Sequence, residues 1–134
     1  MIETERCIVM DIDGTLCPIK SRDERYDDLH PIPSVLEKLR AYKAAGFHII
    51  LFTSRSMRTH GGNIGRINAT TAKRAMAWLD QHDVPYDEIH FGKPWQGKGG
   101  FYVDDKAVRP DEFVGLSYQE ILKLIHDEKD LAPS

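Results

Sequence analysis

The chain has few cysteines, no long apolar run and no excess of basic residues. Two cysteines among 134 residues cannot build a disulfide framework, and Cys7 and Cys17 are not spaced as a metal knuckle. No apolar stretch approaches the roughly 20 residues that a membrane-spanning helix needs. The net charge is −3 and the pI is near 6.0. Composition therefore gives no reason to expect nucleic acid or a membrane as a partner.

Targeting signals and internal repeats are missing as well. Glu3 and Glu5 are acidic where a signal peptide would be basic, so we expect a cytoplasmic protein. No repeat, linker or low-complexity segment divides the chain. Hydrophobic residues make up 41% and charged residues 29% of the sequence, as in an ordinary globular protein. We predict one domain over residues 1–134.

The apolar residues that are present form short runs separated by helical patterns. An unbroken apolar run is typical of a strand that is covered on both faces in a parallel sheet. Such runs predict strands at residues 7–10, 47–52, 88–91 and 101–103. Apolar residues at helical spacing predict helices around residues 35–42, 70–79 and 121–125. The alternation indicates an α/β fold built from right-handed βαβ units.

Three polar stretches are predicted to connect these elements. Residues 17–30 read as a loop or a small hairpin flap, residues 56–66 as a second loop, and residues 96–100 as a flexible turn.

A polar side chain follows each predicted strand: Asp11, Thr53, Lys93 and Asp104. The carboxyl ends of parallel strands lie at one edge of a sheet, so these groups are expected to converge. Asp13 follows in the turn after Asp11. Two carboxylates so close together repel each other unless a cation or a shared proton relieves them. Because the expected ligands are all oxygens, we predict Mg²⁺.

This set of groups is what phosphoryl transfer requires. Asp11 could attack phosphorus and form an aspartyl phosphate, while Mg²⁺ held by Asp11 and Asp104 would neutralise the transferring oxygens. Thr53 and Lys93 could hold phosphoryl oxygens. Asp13 could protonate the leaving alcohol and later activate water. Taken singly, each residue has an ordinary alternative, since Asp is common in turns, Thr at strand ends and Lys on surfaces.

The same order of residues resembles the haloacid dehalogenase (HAD) superfamily of phosphotransferases. Asp-Ile-Asp-Gly-Thr-Leu at 11–16 is similar to its first motif, and Phe52-Thr53 to its second. Lys93-Pro94 is similar to the third motif, and Phe-Tyr-Val-Asp104-Asp105 to the Asp-Asp form of the fourth. The resemblance covers about residues 7 to 110.

The resemblance implies a three-layer Rossmann-like fold with a mostly parallel sheet. It implies that Asp11 is the nucleophile, that Asp13 is the acid/base with a metal-binding backbone carbonyl, and that Thr53 and Lys93 bind phosphate. Asp104 would be a metal ligand. Asp105 would ligate directly, ligate through water, or support Lys93. The short glycine-rich interval before Asp104 leaves Lys98 as an alternative source of the ammonium.

Short intervals between the motifs imply a capless member, with self-association as a possible way to shield the site. Within the superfamily, the arrangement Phe-Thr-Ser-Arg, Gly-Lys-Pro-Trp and Phe-Tyr-Val-Asp-Asp is similar to small phosphatases of capsular polysaccharide and sugar-phosphate metabolism. We expect a small phosphorylated metabolite as substrate, with sugar phosphates favoured. The expected substrate-binding residues are Gly14, Ser54, Arg55 and Arg58, although the arginine-containing loop could simply be solvated.

Three rival functions share some of these features. A signalling receiver domain also uses Asp, Thr, Lys and Mg²⁺, but it resembles a different order of residues, with the acidic pair first and Lys-Pro near the end. A binding module without turnover would not need every motif position filled. A phosphotransferase or mutase would have to exclude water, and a capless site is poorly suited to that.

Overall fold

The structure is a computed structural model that describes residues 5–126. The chain forms two compact units, Met1–Trp95 and Gln96–Ser134. The first unit contains β1 (Cys7–Met10), β2 (His48–Thr53) and β3 (Glu88–Phe91), which pair in parallel in that order. This confirms the predicted α/β fold with a parallel sheet and the positions of the first three strands.

Helix α1 (Pro33–Ala44) connects β1 to β2. Proline stands at its first position, where a missing N–H is harmless. Val35, Leu39 and Tyr42 are buried at helical spacing, as predicted. Gly46 follows the helix with φ of 97°, a left-handed conformation that a side chain would disfavour.

Two helices connect β2 to β3. The longer, α3 (Thr71–Gln81), was predicted, and its core residues are Ala72, Ala75, Trp78 and Leu79. The shorter, α2 (Ile64–Ala69), begins inside the segment that was predicted to be loop. Its start is fixed by the Asn63 side chain, which accepts a hydrogen bond from the backbone N–H of Arg66.

The two connections run in the same direction across the sheet. Right-handed crossovers in one direction place their helices on one face of a sheet, and Arg40 of α1 donates to the carbonyls of His82 and Asp83 just after α3. Val9 in β1 is accordingly 60% exposed and Cys7 is exposed. The expectation that β1 would be covered on both faces is therefore wrong for these residues.

The segment after Leu16 forms a loop that contains one 3-10 turn, Tyr26–Asp28, and no hairpin among its residues. We call residues 17–30 the flap. Its end is fixed to the core, since Leu29 is buried and its carbonyl accepts a hydrogen bond of 2.9 Å from Trp78 Nε1. The intervals after β1 and β2 contain this flap and three helices, so neither holds a cap domain.

The second unit contains α4 (Pro110–Gly115) and α5 (Tyr118–Ile125). Helix α5 was predicted, and the Ser117 side chain caps it by accepting from the N–H of Glu120. The strand predicted at 101–103 is wrong: these residues form no strand, and Phe101 and Val103 are 80% and 89% exposed. Across residues 5–126, no helix is long and apolar enough to span a membrane.

Candidate active site

Three strand ends of the first unit meet at one edge of the sheet. Asp11 directly follows β1, Thr53 ends β2, and Lys93 lies two residues after β3. The N–H of Lys93 donates a hydrogen bond of 3.1 Å to the Thr53 carbonyl. The Lys93 ammonium in turn lies 3.6 Å from Asp11 Oδ1. The structure thus brings together the three groups that sequence reasoning placed at this edge, and it pairs Lys93 with Asp11.

Asp11 is a partly buried carboxylate with a cation beside it. Burial raises its pKa above the usual value, and the positive charge of Lys93 opposes that rise. Thr15 Oγ1 contributes a longer hydrogen bond of 3.4 Å to Oδ2. Lys93 therefore favours the ionised form of Asp11, which is the form that a nucleophile needs.

The turn after Asp11 is tightly built. Gly14 has φ of 88°, and its N–H donates a hydrogen bond of 2.7 Å to the Cys17 carbonyl. A Cβ on Gly14 would come within 3.2 Å of the Ile19 side chain. Glycine is thus required here by the backbone, and its predicted part in substrate binding stays a prediction.

Cys17 lies under the acidic turn. Its side chain is fully buried, and its Sγ contacts Asp13 Oδ1 at 3.7 Å and the Ile12 carbonyl at 3.8 Å. Burial, together with the negative charge of Asp13, raises the pKa of this thiol to about 12. The thiol is therefore protonated and unreactive at neutral pH.

Thr53 and Arg55 are joined by a local hydrogen bond. The Arg55 N–H donates to Thr53 Oγ1 at 3.0 Å, which uses one acceptor lone pair and not the hydroxyl proton. Thr53 is only 1% exposed, so the hydroxyl is held in place at the end of β2. Ser54 is half-buried, and its carbonyl accepts from the N–H of Met57.

Arg55 forms a bidentate ion pair with Asp13. The guanidinium donates from Nε to Oδ2 at 3.0 Å and from Nη2 to Oδ1 at 2.7 Å. Arg55 is 7% exposed, and the ring of Tyr26 in the flap lies 4.0 Å from its Cζ. Sequence reasoning proposed Arg55 as a substrate ligand and did not single out Tyr26. No sequence pattern gives this contact, because it depends on the path of the flap.

Arg58 is exposed, and its guanidinium lies 5.3 Å from the centre of the Trp95 ring. A cation over an aromatic face is a favourable contact that keeps the charge in water. Of the two arginines predicted to bind substrate, Arg58 is thus accessible, whereas Arg55 is bound to Asp13.

The predicted metal ligands Asp104 and Asp105 lie in the second unit and are exposed. Asp104 Oδ1 accepts a hydrogen bond of 2.9 Å from the N–H of Lys106. Within residues 5–126, no three His, Cys, Asp or Glu side chains form a ready-made metal cluster. The roles of both residues, and of Lys98 in the same unit, stay predictions.

The donor chemistry of the first unit nevertheless fits Mg²⁺. Asp11 offers a carboxylate that is 30% exposed. The backbone carbonyl of Asp13 is a second oxygen donor two residues away, whereas the Asp13 carboxylate is bound by Arg55. Mg²⁺ commonly binds proteins through one or two carboxylates and keeps several waters, so a small oxygen-only donor set is sufficient.

Comparison with known proteins agrees with the geometry. Residues 5–106 match the family model described as the polynucleotide kinase PNKP phosphatase domain, of the HAD type. A crystal structure of a target protein from Vibrio cholerae is 46% identical, with a TM-score of 0.86, over 93% of this chain and 98% of that one.

A more distant match is D,D-heptose 1.7-bisphosphate phosphatase from B. bronchiseptica, whose crystals contain magnesium and phosphate. It is 21% identical with a TM-score of 0.46, over 70% of this chain and 53% of that one, too remote to inform function. No curated protein matches the chain significantly. Since the family model covers residues 5–106, which is most of the chain, the chain belongs to the HAD superfamily, in the family of polynucleotide kinase-type phosphatase domains.

Proposed function

We propose that the protein is a Mg²⁺-dependent phosphomonoesterase that works through a phosphorylated Asp11. The observation that carries this proposal is the pairing of the Asp11 carboxylate with the Lys93 ammonium at 3.6 Å. A carboxylate beside a fixed cation at the edge of a parallel sheet is suited to attack on phosphorus, because the cation also attracts the phosphoryl oxygens.

The reaction divides into two steps. Asp11 forms a bond to phosphorus as the bond from phosphorus to the alcohol oxygen breaks, and Asp13 gives that oxygen a proton. Asp13 then takes a proton from water as the water attacks phosphorus and releases phosphate from Asp11. Lys93 and the Thr53 hydroxyl bind phosphoryl oxygens. Mg²⁺, held by Asp11 and the Asp13 carbonyl, would supply positive charge for the transferring group.

The proposal is tested by phosphate release from p-nitrophenyl phosphate. Asp11→Asn is expected to abolish turnover, because an amide cannot form the acyl phosphate. Asp83→Asn is the matched control, since Asp83 follows α3 with φ of 53°, a conformation that Asn accepts. Undiminished turnover in Asp11→Asn would remove Asp11 as the nucleophile.

The metal requirement has a readout besides activity. Chelation should abolish turnover, and Mg²⁺ should restore it. Mg²⁺ should also raise the Tm of the wild-type protein more than that of Asp11→Asn, since a ligand that binds only the folded state stabilises it. Equal Tm shifts in the two proteins would contradict Asp11 as a metal ligand.

We propose a small phosphorylated metabolite as the substrate, with sugar phosphates as the first class to test. Net charge of −3 disfavours long polyanions. The description of the matching family model supports a second candidate, the phosphorylated end of a polynucleotide. A Mg²⁺-dependent screen of sugar phosphates, nucleotides, phosphorylated organic acids and oligonucleotides with a terminal phosphate separates the two. Arg58→Ala should raise KM for the preferred substrate and hardly affect p-nitrophenyl phosphate.

A further inference from the structure

Arg55 occupies an unusual position for a residue of a substrate-facing loop. Its side chain is 4% exposed, against 22% for the side chain of Asp13. Its Cζ lies over the Tyr26 ring, 4.0 Å from the ring centre. Two of its nitrogens bind the two oxygens of one carboxylate. A group so enclosed is placed to act on Asp13 and not on a substrate.

The two hydrogen bonds from Arg55, which we call the fork, fix the orientation of the Asp13 carboxylate. A single hydrogen bond allows the carboxylate plane to rotate about its last bond, whereas two parallel bonds to a planar guanidinium define that plane. The Cys17 thiol contacts the same Oδ1 that receives Nη2. Each carboxylate oxygen has two lone pairs. The contacts with Nη2 and Cys17 use both lone pairs of Oδ1, whereas Nε uses one lone pair of Oδ2 and leaves the other. Proton exchange at Asp13 is thereby directed to Oδ2.

Tyr26 packs against the same guanidinium that binds Asp13. It belongs to the 3-10 turn of the flap and is 37% exposed. A cation over an aromatic ring is stabilised more strongly when it is desolvated, as Arg55 is. The orientation of Asp13 therefore depends on a residue that lies 13 positions away in sequence, in a loop outside the sheet.

We propose that Arg55 is a positioning residue that orients Asp13 for proton transfer, and that Tyr26 keeps Arg55 in place. This inference rests on the proposed function, in which Asp13 gives the leaving oxygen its proton. Without the fork, Asp13 would sample several rotamers, and few of them would direct Oδ2 at the leaving oxygen. The loss should fall on substrates whose leaving group needs a proton.

Two aryl esters separate this role from substrate binding. Nitrophenolate leaves without a proton, whereas the phenolate of phenyl phosphate is more basic and benefits from one. The value of kcat/KM reports steps up to formation of the acyl phosphate. We would measure it with both esters for the wild type and for Arg55→Lys, which keeps the charge but loses the fork. Arg40→Lys is the matched control, because Arg40 is an exposed residue of α1 that donates to backbone carbonyls at His82 and Asp83.

General acid catalysis contributes about 10²–10⁴-fold, so Arg55→Lys should lower kcat/KM for phenyl phosphate by roughly tenfold or more. For p-nitrophenyl phosphate the expected loss is less than about threefold. Asp13→Asn should show the same pattern more strongly, and Arg55→Lys added to Asp13→Asn should cause no further loss. Arg40→Lys should match the wild type with both esters.

Variants of Tyr26 provide an independent test if the buried Arg55→Lys substitution unfolds the protein. Tyr26→Ala should lower kcat/KM for phenyl phosphate more than for p-nitrophenyl phosphate, and Tyr26→Phe, which keeps the ring, should behave as wild type. Equal losses with the two esters in Arg55→Lys, or a further loss in the Asp13→Asn background, would overturn the assignment of Arg55. A wild-type protein that hydrolyses neither ester would instead overturn the proposed function itself.

Discussion

The pairing of Asp11 with Lys93 makes a quantitative prediction about stability. At 3.6 Å and an effective dielectric constant of about 20, two unit charges interact by about 4–5 kcal/mol. Asp11 is 30% exposed and Lys93 is 18% exposed, so solvent screens part of this energy. We expect a coupling free energy of about 1–3 kcal/mol between the two side chains, well above that of a surface ion pair.

A double-mutant cycle in urea unfolding measures this coupling without requiring turnover. The variants are Asp11→Asn, Lys93→Met and the combination, at neutral pH without divalent cations. The cycle isolates the pairwise energy, so other interactions of Lys93 cancel. The control is the pair Arg25 and Asp27, which is 3.9 Å apart with side chains 74% and 62% exposed and should couple by at most about 0.5 kcal/mol. A coupling between Asp11 and Lys93 no larger than the control would refute the electrostatic account of the site.

Two further predictions concern other ionisable groups. Iodoacetamide should modify the exposed Cys7 of the native protein and spare Cys17, whose pKa is raised to about 12 by burial; equal labelling of both thiols by mass spectrometry would contradict the structure. The pKa of Asp87 is lowered by a hydrogen bond from the N–H of Ile49 and by the Lys43 ammonium. A lowered carboxylate pKa stabilises the fold above the unfolded-state pKa, and that stability is lost as the pH falls through the folded-state pKa. Asp87→Asn should therefore lower Tm at pH 7 and match the wild type in strong acid, whereas a Tm difference independent of pH would argue against this role.

The sequence predicted the parts of the site that depend on strand ends. Asp11, Thr53 and Lys93 each lie at or just after the end of a strand, and parallel pairing brings such positions together regardless of the connections between them. The first three strands could be predicted because their apolar runs are bounded by polar turns. Topology left open whether Lys93 or Lys98 lies beside Asp11, and the structure pairs Asp11 with Lys93.

Features that depend on tertiary contacts were missed. Residues 101–103 have the composition of a strand, but a strand also needs a ladder partner, and composition cannot supply one. Helix α2 was not predicted because a short polar helix has little apolar periodicity. Its only sequence signal is Asn63, a residue type that favours the N-cap position. The ion pair between Arg55 and Asp13 depends on where a long side chain reaches and on the path of the flap. A local sequence pattern predicts neither.

In the proposed mechanism the phosphoryl group is bound covalently to Asp11 before water releases it as phosphate. Wild-type protein turning over p-nitrophenyl phosphate with Mg²⁺ can be quenched, reduced with borohydride and digested for mass spectrometry. Borohydride converts an aspartyl phosphate to homoserine, so we predict homoserine at position 11 and an unchanged residue at Asp13. Homoserine at position 13, or unmodified Asp11 in a protein that is releasing phosphate, would contradict the account.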